Sequence, residues 1–162
     1  MQLYCDLEQT MQQQYELAAL LLEETRKQNR ALRKNDLAAI NACAAALEQL
    51  GLKMSEIDKN REKITGQLTE RLNLPPDAKL TAIAARAPED LSLRLLHLRR
   101  EIRRSLEELK EQVEFNSLLT RNALRFNNTV LGIFRQAAGA TYGNSGQVKD
   151  GAGFAASFNK SV

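Results

Sequence analysis

The residues able to do covalent or metal chemistry in this chain are few: one histidine, two cysteines and several neighbouring acids. His97 could hold a metal or move a proton near neutral pH. The residue three before it is Arg94, so the Glu-x-x-His pair of helical metal sites is absent, and His97 reads as a boundary residue beside Leu95 and Leu98. Cys5 and Cys43 have no C-x-x-C partner and no nearby histidine. On the helical hairpin predicted below they stand on the order of 30 Å apart, far beyond disulfide reach, which points to a reducing cytoplasmic setting. Glu23/Glu24 and Glu107/Glu108 are adjacent in sequence. Adjacent helix positions point about 100° apart, so these acids do not converge on one atom. Gly143-x-x-Gly146 and Gly151-x-Gly153 fit neither phosphate-binding glycine spacing. No catalytic residue, metal site or cofactor is expected, and the chain reads as a non-enzyme.

What remains is recognition chemistry. Leu124, Val130, Leu131, Ile133 and Phe134 cluster near the end of a helical pattern, followed by Thr141-Tyr142-Gly143-Asn144-Ser145-Gly146. That sextet is turn chemistry. Gln147 to Val162 is small, polar and Gly/Ser/Ala-rich, with Phe154 and Phe158 as isolated anchors. Such composition predicts a flexible tail that orders on binding. Tyr142, an aromatic beside that tail, is a cheap anchor for a partner. The same apolar residues could also be ordinary bundle core.

The elements that carry these residues follow from composition and period. The 162 residues hold 27% charged and 5% aromatic side chains, with no Trp, a mixture that suits long helices and coiled coils. All three prolines lie between positions 75 and 88, and six of the eight glycines lie at or after Gly132. The pattern predicts an all-α fold: an antiparallel helical hairpin extended to a bundle of three long coiled-coil helices, over about 3–33, 36–72 and 88–138. A Pro-containing connector spans 73–87, with room for two short helical turns between Asp77 and Arg86, and a flexible tail spans 141–162. Lys34-Asn35-Asp36 makes the first break, with Asn35 as the expected N-cap, and so short a connection makes the next helix antiparallel. The second helix repeats Leu37, Ile40, Ala44, Leu47, Gly51, Met54, Ile57, Arg61, Ile64, Leu68 and Leu72 at spacings of three and four, a coiled-coil seam. In the third, Leu95, Ile102, Leu109, Asn116, Ala123 and Val130 recur every seven residues, with Leu106, Val113, Thr120 and Phe134 as a second row. An asparagine in such a seam fixes register.

Helix lengths then set an expectation. At 1.5 Å per residue the second helix measures ~54 Å and the third ~75 Å. Folding back from the connector, the third draws level with the first turn near Phe126. About 12 residues, with Val130 to Phe134 among them, project beyond it, and exposed apolar surface of that kind calls for a cover. The net charge of +3 is small and both signs are interspersed, so no nucleic-acid partner is expected. The densest basic patch, Arg99-Arg100 with Arg103-Arg104, has Glu101, Glu107 and Glu108 beside it. The longest apolar runs, Leu17–Leu22 and Ala42–Leu47, are six residues each, too short to cross a bilayer. The first residues lack the basic and apolar regions of a signal peptide. A cytoplasmic protein without membrane insertion is expected.

The chain resembles the FlgN-type flagellar export chaperones. The resemblance rests on the Leu-rich first helix, the second helix carrying Leu47, Leu50 and Arg61, and Asn116-x-x-Leu119 in the third. It ends with Thr141-Tyr142-Gly143 followed by Gly146. It implies a cytosolic chaperone of the flagellar type III export system. Such a chaperone binds the hook-associated (filament-junction) proteins, FlgK-like and FlgL-like clients, prevents their premature assembly and delivers them to the export gate. The resemblance further implies that the client is held by the stretch from about Leu124 to Val162, and that Tyr142 touches the export machinery. A generic coiled-coil adaptor or structural protein, without an export role, is the alternative. It would pair its last helix with itself.

Overall fold

The computed structural model describes residues 1–141, with side chains up to Ile133. The order is α1 (Gln2–Lys34), α2 (Leu37–Arg71), α3 (Leu80–Ala84) and α4 (Glu89–Thr141). Among the described residues there is no strand, and the all-α expectation holds. The chain divides into unit 1, Met1–Leu119, and unit 2, Thr120–Val162, and α4 contributes residues to both.

Both long helices of unit 1 that end within it stop on an asparagine in the left-handed region, Asn35 (φ 53°) and Asn73 (φ 51°). Asparagine tolerates that conformation better than other residues with a Cβ. After α2, Leu74 N–H donates to Thr69 O (2.8 Å) and Asn73 N–H to Glu70 O (3.1 Å), the paired closing bonds of a Schellman motif. After α1, Asp36 N–H donates to Ala31 O (3.0 Å) and Asn35 N–H to Leu32 O (3.2 Å). Asn35 therefore closes α1 and is not the N-cap of α2. Asp36 takes that place, its carboxylate accepting from Ala39 N–H at 3.0 Å. A two-residue reversal needs one left-handed residue and one extended residue, and Asn followed by Asp supplies both.

The core of unit 1 lies where four elements meet. Tyr4, Leu7 and Met11 of α1 pack with Ile64 and Leu68 of α2, Ile83 and Ala84 of α3, and Leu91, Leu95 and Leu98 of α4. Full burial of one such aliphatic side chain stabilises by roughly 1.5–3 kcal/mol. The connector is part of this core. Ile83 is fully buried, and the Tyr4 hydroxyl donates to its carbonyl at 3.1 Å, so five residues of helix between the prolines pin both ends of the chain reversal.

Polar contacts give the register. Asn60 Nδ2 donates to Thr10 Oγ1 (3.3 Å) and Gln14 donates to Asp58, which sets α1 and α2 antiparallel. Arg94 Nε meets Glu8 Oε1 at 2.6 Å and Arg26 pairs with Glu108, which sets α4 parallel to α1. Toward the α1–α2 turn the packing thins. Leu37, Ala44, Gly51 and Leu52 are exposed, and Ile40, Leu47, Met54 and Ile57 are half-buried. The seam expected along all of α2 is therefore tightly buried only near Ile64 and Leu68. The second row expected on α4 is exposed at Leu106 and Val113. Heptad spacing aligns a row on one face but does not supply a neighbour for it. Among the described residues no helix is long and apolar enough to cross a membrane.

Candidate functional site

Within unit 2, α4 carries its apolar residues on one half of its circumference. At about 100° per residue, Leu124 and Leu131 form one row, seven residues apart. Phe126 and Ile133 form a second, also seven apart, nearly opposite the first. Val130 lies between the rows, with Ala123 close to it. The other half holds Arg121, Asn122, Arg125, Asn128 and Thr129, and Asn127 falls within the apolar sector, between Val130 and Leu131. Leu124, Phe126, Leu131 and Ile133 are 58, 69, 53 and 42% exposed, and Val130 is half-buried. An apolar sector this wide is what a helix presents to a partner or a core.

The charge of this stretch is one-sided. Between Glu114 and Asp150 the chain has no carboxylate, while Arg121, Arg125, Arg135 and Lys149 fall inside the interval. The polar half of the described helix thus carries positive charge at Arg121 and Arg125 and no carboxylate. Thr129 folds its hydroxyl back onto Arg125 O at 3.0 Å, which leaves its methyl outward on the polar side.

Unit 1 holds α4 in register through one buried polar cluster. Asn116, 4% exposed, donates from Nδ2 to Thr25 O (2.9 Å) and Gln28 Oε1 (3.0 Å), and its Oδ1 accepts from Asn29 Nδ2 at 2.7 Å. Asn29 stands five residues before the end of α1, and α4 runs 25 residues beyond Asn116. Beside this cluster the Arg33 guanidinium lies over the Phe115 ring, 5.6 Å from its centre. Burial pushes the Cys43 thiol up from its ordinary range, and the Glu24 carboxylate adds to the shift. Glu24 is itself held low, first by its hydrogen bond from Lys27. Cys5 and Cys43 are both free, Cys5 exposed and Cys43 buried.

Of the residues expected from sequence, Leu124, Val130, Leu131 and Ile133 share the apolar half of α4. The side chain of Phe134 and the whole of Tyr142, Phe154 and Phe158 lie outside the described residues. Phe126, the most exposed of the apolar side chains in the described part of unit 2, is an addition. Its seven-residue spacing to Ile133 was the available signal. Among the described residues no cluster of His, Cys, Asp and Glu could hold a metal ion.

The described residues make an all-α helical protein whose last helix carries exposed apolar side chains. The sequence profile of the FlgN protein family matches residues 1–150, and the chain belongs to that family, whose members act as flagellar export chaperones. Comparison with curated proteins and with solved structures gave no significant match.

Proposed function

We propose that this chaperone serves the hook-associated (filament-junction) proteins, FlgK-like and FlgL-like, in the cytoplasm, and that it holds a terminal helix of the client against the C-terminal part of α4. The supporting observation is the apolar half made by exposed Leu124, Phe126, Leu131 and Ile133 with half-buried Val130. A client helix with coiled-coil character needs an apolar face to lie against, and helix-in-groove docking meets that need. While it is held there, the face that would drive assembly is covered. No nucleotide or cofactor takes part, and no nucleic acid or membrane insertion is involved. Residues 142–162, with Phe154 and Phe158 as anchors, add contacts whose ordering costs entropy. Binding therefore stays reversible and transfer at the export gate is possible. Phe134 belongs to the same client surface, and Tyr142 contacts the export machinery.

The test is calorimetric titration of a purified hook-associated protein into the chain. Val130→Asp and Phe126→Asp should each weaken binding by about 2 kcal/mol or more, as hot-spot substitutions do, with helicity unchanged. Removal of residues 136–162 should abolish binding, whereas Tyr142→Ala should leave the complex intact and impair export. Undiminished affinity in both aspartate variants would take the surface out of the site. A stable homodimer through this helix, with client binding indifferent to the truncation, would instead fit a coiled-coil adaptor.

A further inference from the structure

Unit 1 carries a second recessed surface, well before the stretch assigned to the client. Between α2 and α4, over α1, lies a cavity of about 560 Å³, within the size range of ligand-binding pockets. Leu7 and Met11 of α1 form its floor, Leu80 closes one end, and Ile102 and Leu106 of α4 form an apolar wall. Arg61 of α2 and Arg99, Arg103 and Lys110 of α4 stand at its edges against two acids, Asp58 and Glu107. Asp58 already pairs with Arg61, Glu107 with Arg103, and Lys110 with Glu114. Arg99 has no ion-pair partner among the described residues, nor do Arg100 and Arg104 next to it. The Thr65 hydroxyl, in the same lining, is buried and has no hydrogen-bond partner among the described residues, and an orphaned buried hydroxyl of this kind is costly until something satisfies it.

We infer that this groove is a docking site for an acidic amphipathic helix of another protein. The α4 wall from Arg99 to Lys110 is about 16 Å long at 1.5 Å per residue, which matches three turns of helix. Aliphatic residues at i, i+4 and i+7 of the partner face Ile102 and Leu106. Its flanking carboxylates meet Arg99 on one side and Arg61 on the other. Charge decides against the two nearer occupants. A second copy would bring this net-positive groove against its own like. The chain's last 16 residues carry Lys149 and Lys160 against a single acid, Asp150.

The test uses the full chain and a fluorescein-labelled 14-residue helical peptide with Leu at i, i+4, i+7 and i+11 and Glu on both flanks, beside a twin with Lys in place of Glu. Fluorescence anisotropy should show saturable binding of the Glu peptide and little of its twin. The double variant Arg99→Glu/Arg103→Glu should lower affinity at least tenfold and reverse the preference. Leu106→Asp should remove binding of both peptides, while Val130→Asp leaves it unchanged, with circular dichroism confirming that each variant is folded. Equal binding of the twins, no saturable binding, or indifference to the arginine reversals overturns the proposal. Two other results do the same. A dimer in sedimentation that Leu106→Asp dissolves gives the groove to a second copy, and a tenfold gain in peptide affinity on removing residues 142–162 gives it to the chain's own end.

Discussion

Asn116 places an amide at a position that the heptad assigns to an aliphatic residue. Its three hydrogen bonds reach Thr25, Gln28 and Asn29 on a single helix, so the amide is satisfied only when α4 lies parallel to α1 in one register. Truncation leaves the Asn29 amide and the Thr25 carbonyl short of partners inside a packed region. Asn116→Ala should therefore cost about 1–3 kcal/mol in urea denaturation. Asn116→Leu should keep or raise the midpoint while broadening the transition, because an apolar seam accepts neighbouring registers. An Asn116→Leu variant with the wild-type slope and a lower midpoint would show that the amide holds the helices by strength and not by position. Tyr4 is the second residue whose polar end is confined. Burial raises its phenol above the ordinary value and nearby Arg86 works the other way. A group whose folded pKa is raised contributes stability that is complete below its unfolded pKa, about 10 for tyrosine. That contribution is lost as pH climbs through the folded value. Melting temperatures followed from about pH 8 to about pH 11 should fall at the alkaline end. Tyr4→Phe should lose about 1 kcal/mol at neutral pH with the bond to Ile83 and then fall less steeply.

The long elements were legible because a three-four spacing sustained for five heptads admits only a helix, and because Asn and Asp at the first break admit only a tight reversal. The short connector helix was legible only as room for two helical turns between Asp77 and Arg86. Five residues show no period, so the burial of Ile83 and its bond to Tyr4 could not be seen before the elements were assembled. The exposed rows were half-legible. Leu106 and Val113 align with the heptad as well as Leu95 does, and only the presence or absence of a neighbouring helix separates them. For the same reason Leu124, Val130, Leu131 and Ile133 were nameable from sequence but fitted a bundle core equally well by period, and only the helix lengths argued for an exposed end. Glycines give the element scale its test. A Cβ placed on Gly51 or Gly66 meets nothing within 4 Å, so neither glycine is there for close packing. Gly51→Ala should raise stability by about 1 kcal/mol, read as a higher melting temperature. A lower one would mean that the middle of α2 must bend.

For the whole chain, the tightest packing and the proposed binding surface occupy different stretches. The four-element cluster of unit 1 is drawn from the start of α1, the end of α2, α3 and the first turns of α4, with further buried residues from Leu17 to Ala31, while apart from Leu93 the large exposed apolar residues of α4 begin at Leu106. Substitutions in the later stretch can therefore alter recognition with little effect on the fold, a separation that suits a chaperone whose partner must be both gripped and released. The arginines at 121 and 125 and the asparagines at 122, 127 and 128 keep an otherwise greasy helix hydrated until a partner arrives.

The contrast between the two thiols offers a clock. Cys5 is open to solvent and Cys43 is shut between α1 and α2 beside Glu24. An alkylating reagent will mark Cys5 at once and must wait for the hairpin to part before it reaches Cys43. When reclosing is faster than the reaction, the delay measures the free energy of that opening. Repeated with a partner bound, the same delay shows whether cargo on the last helix tightens the first two, and a delay that does not change would make them mechanically independent.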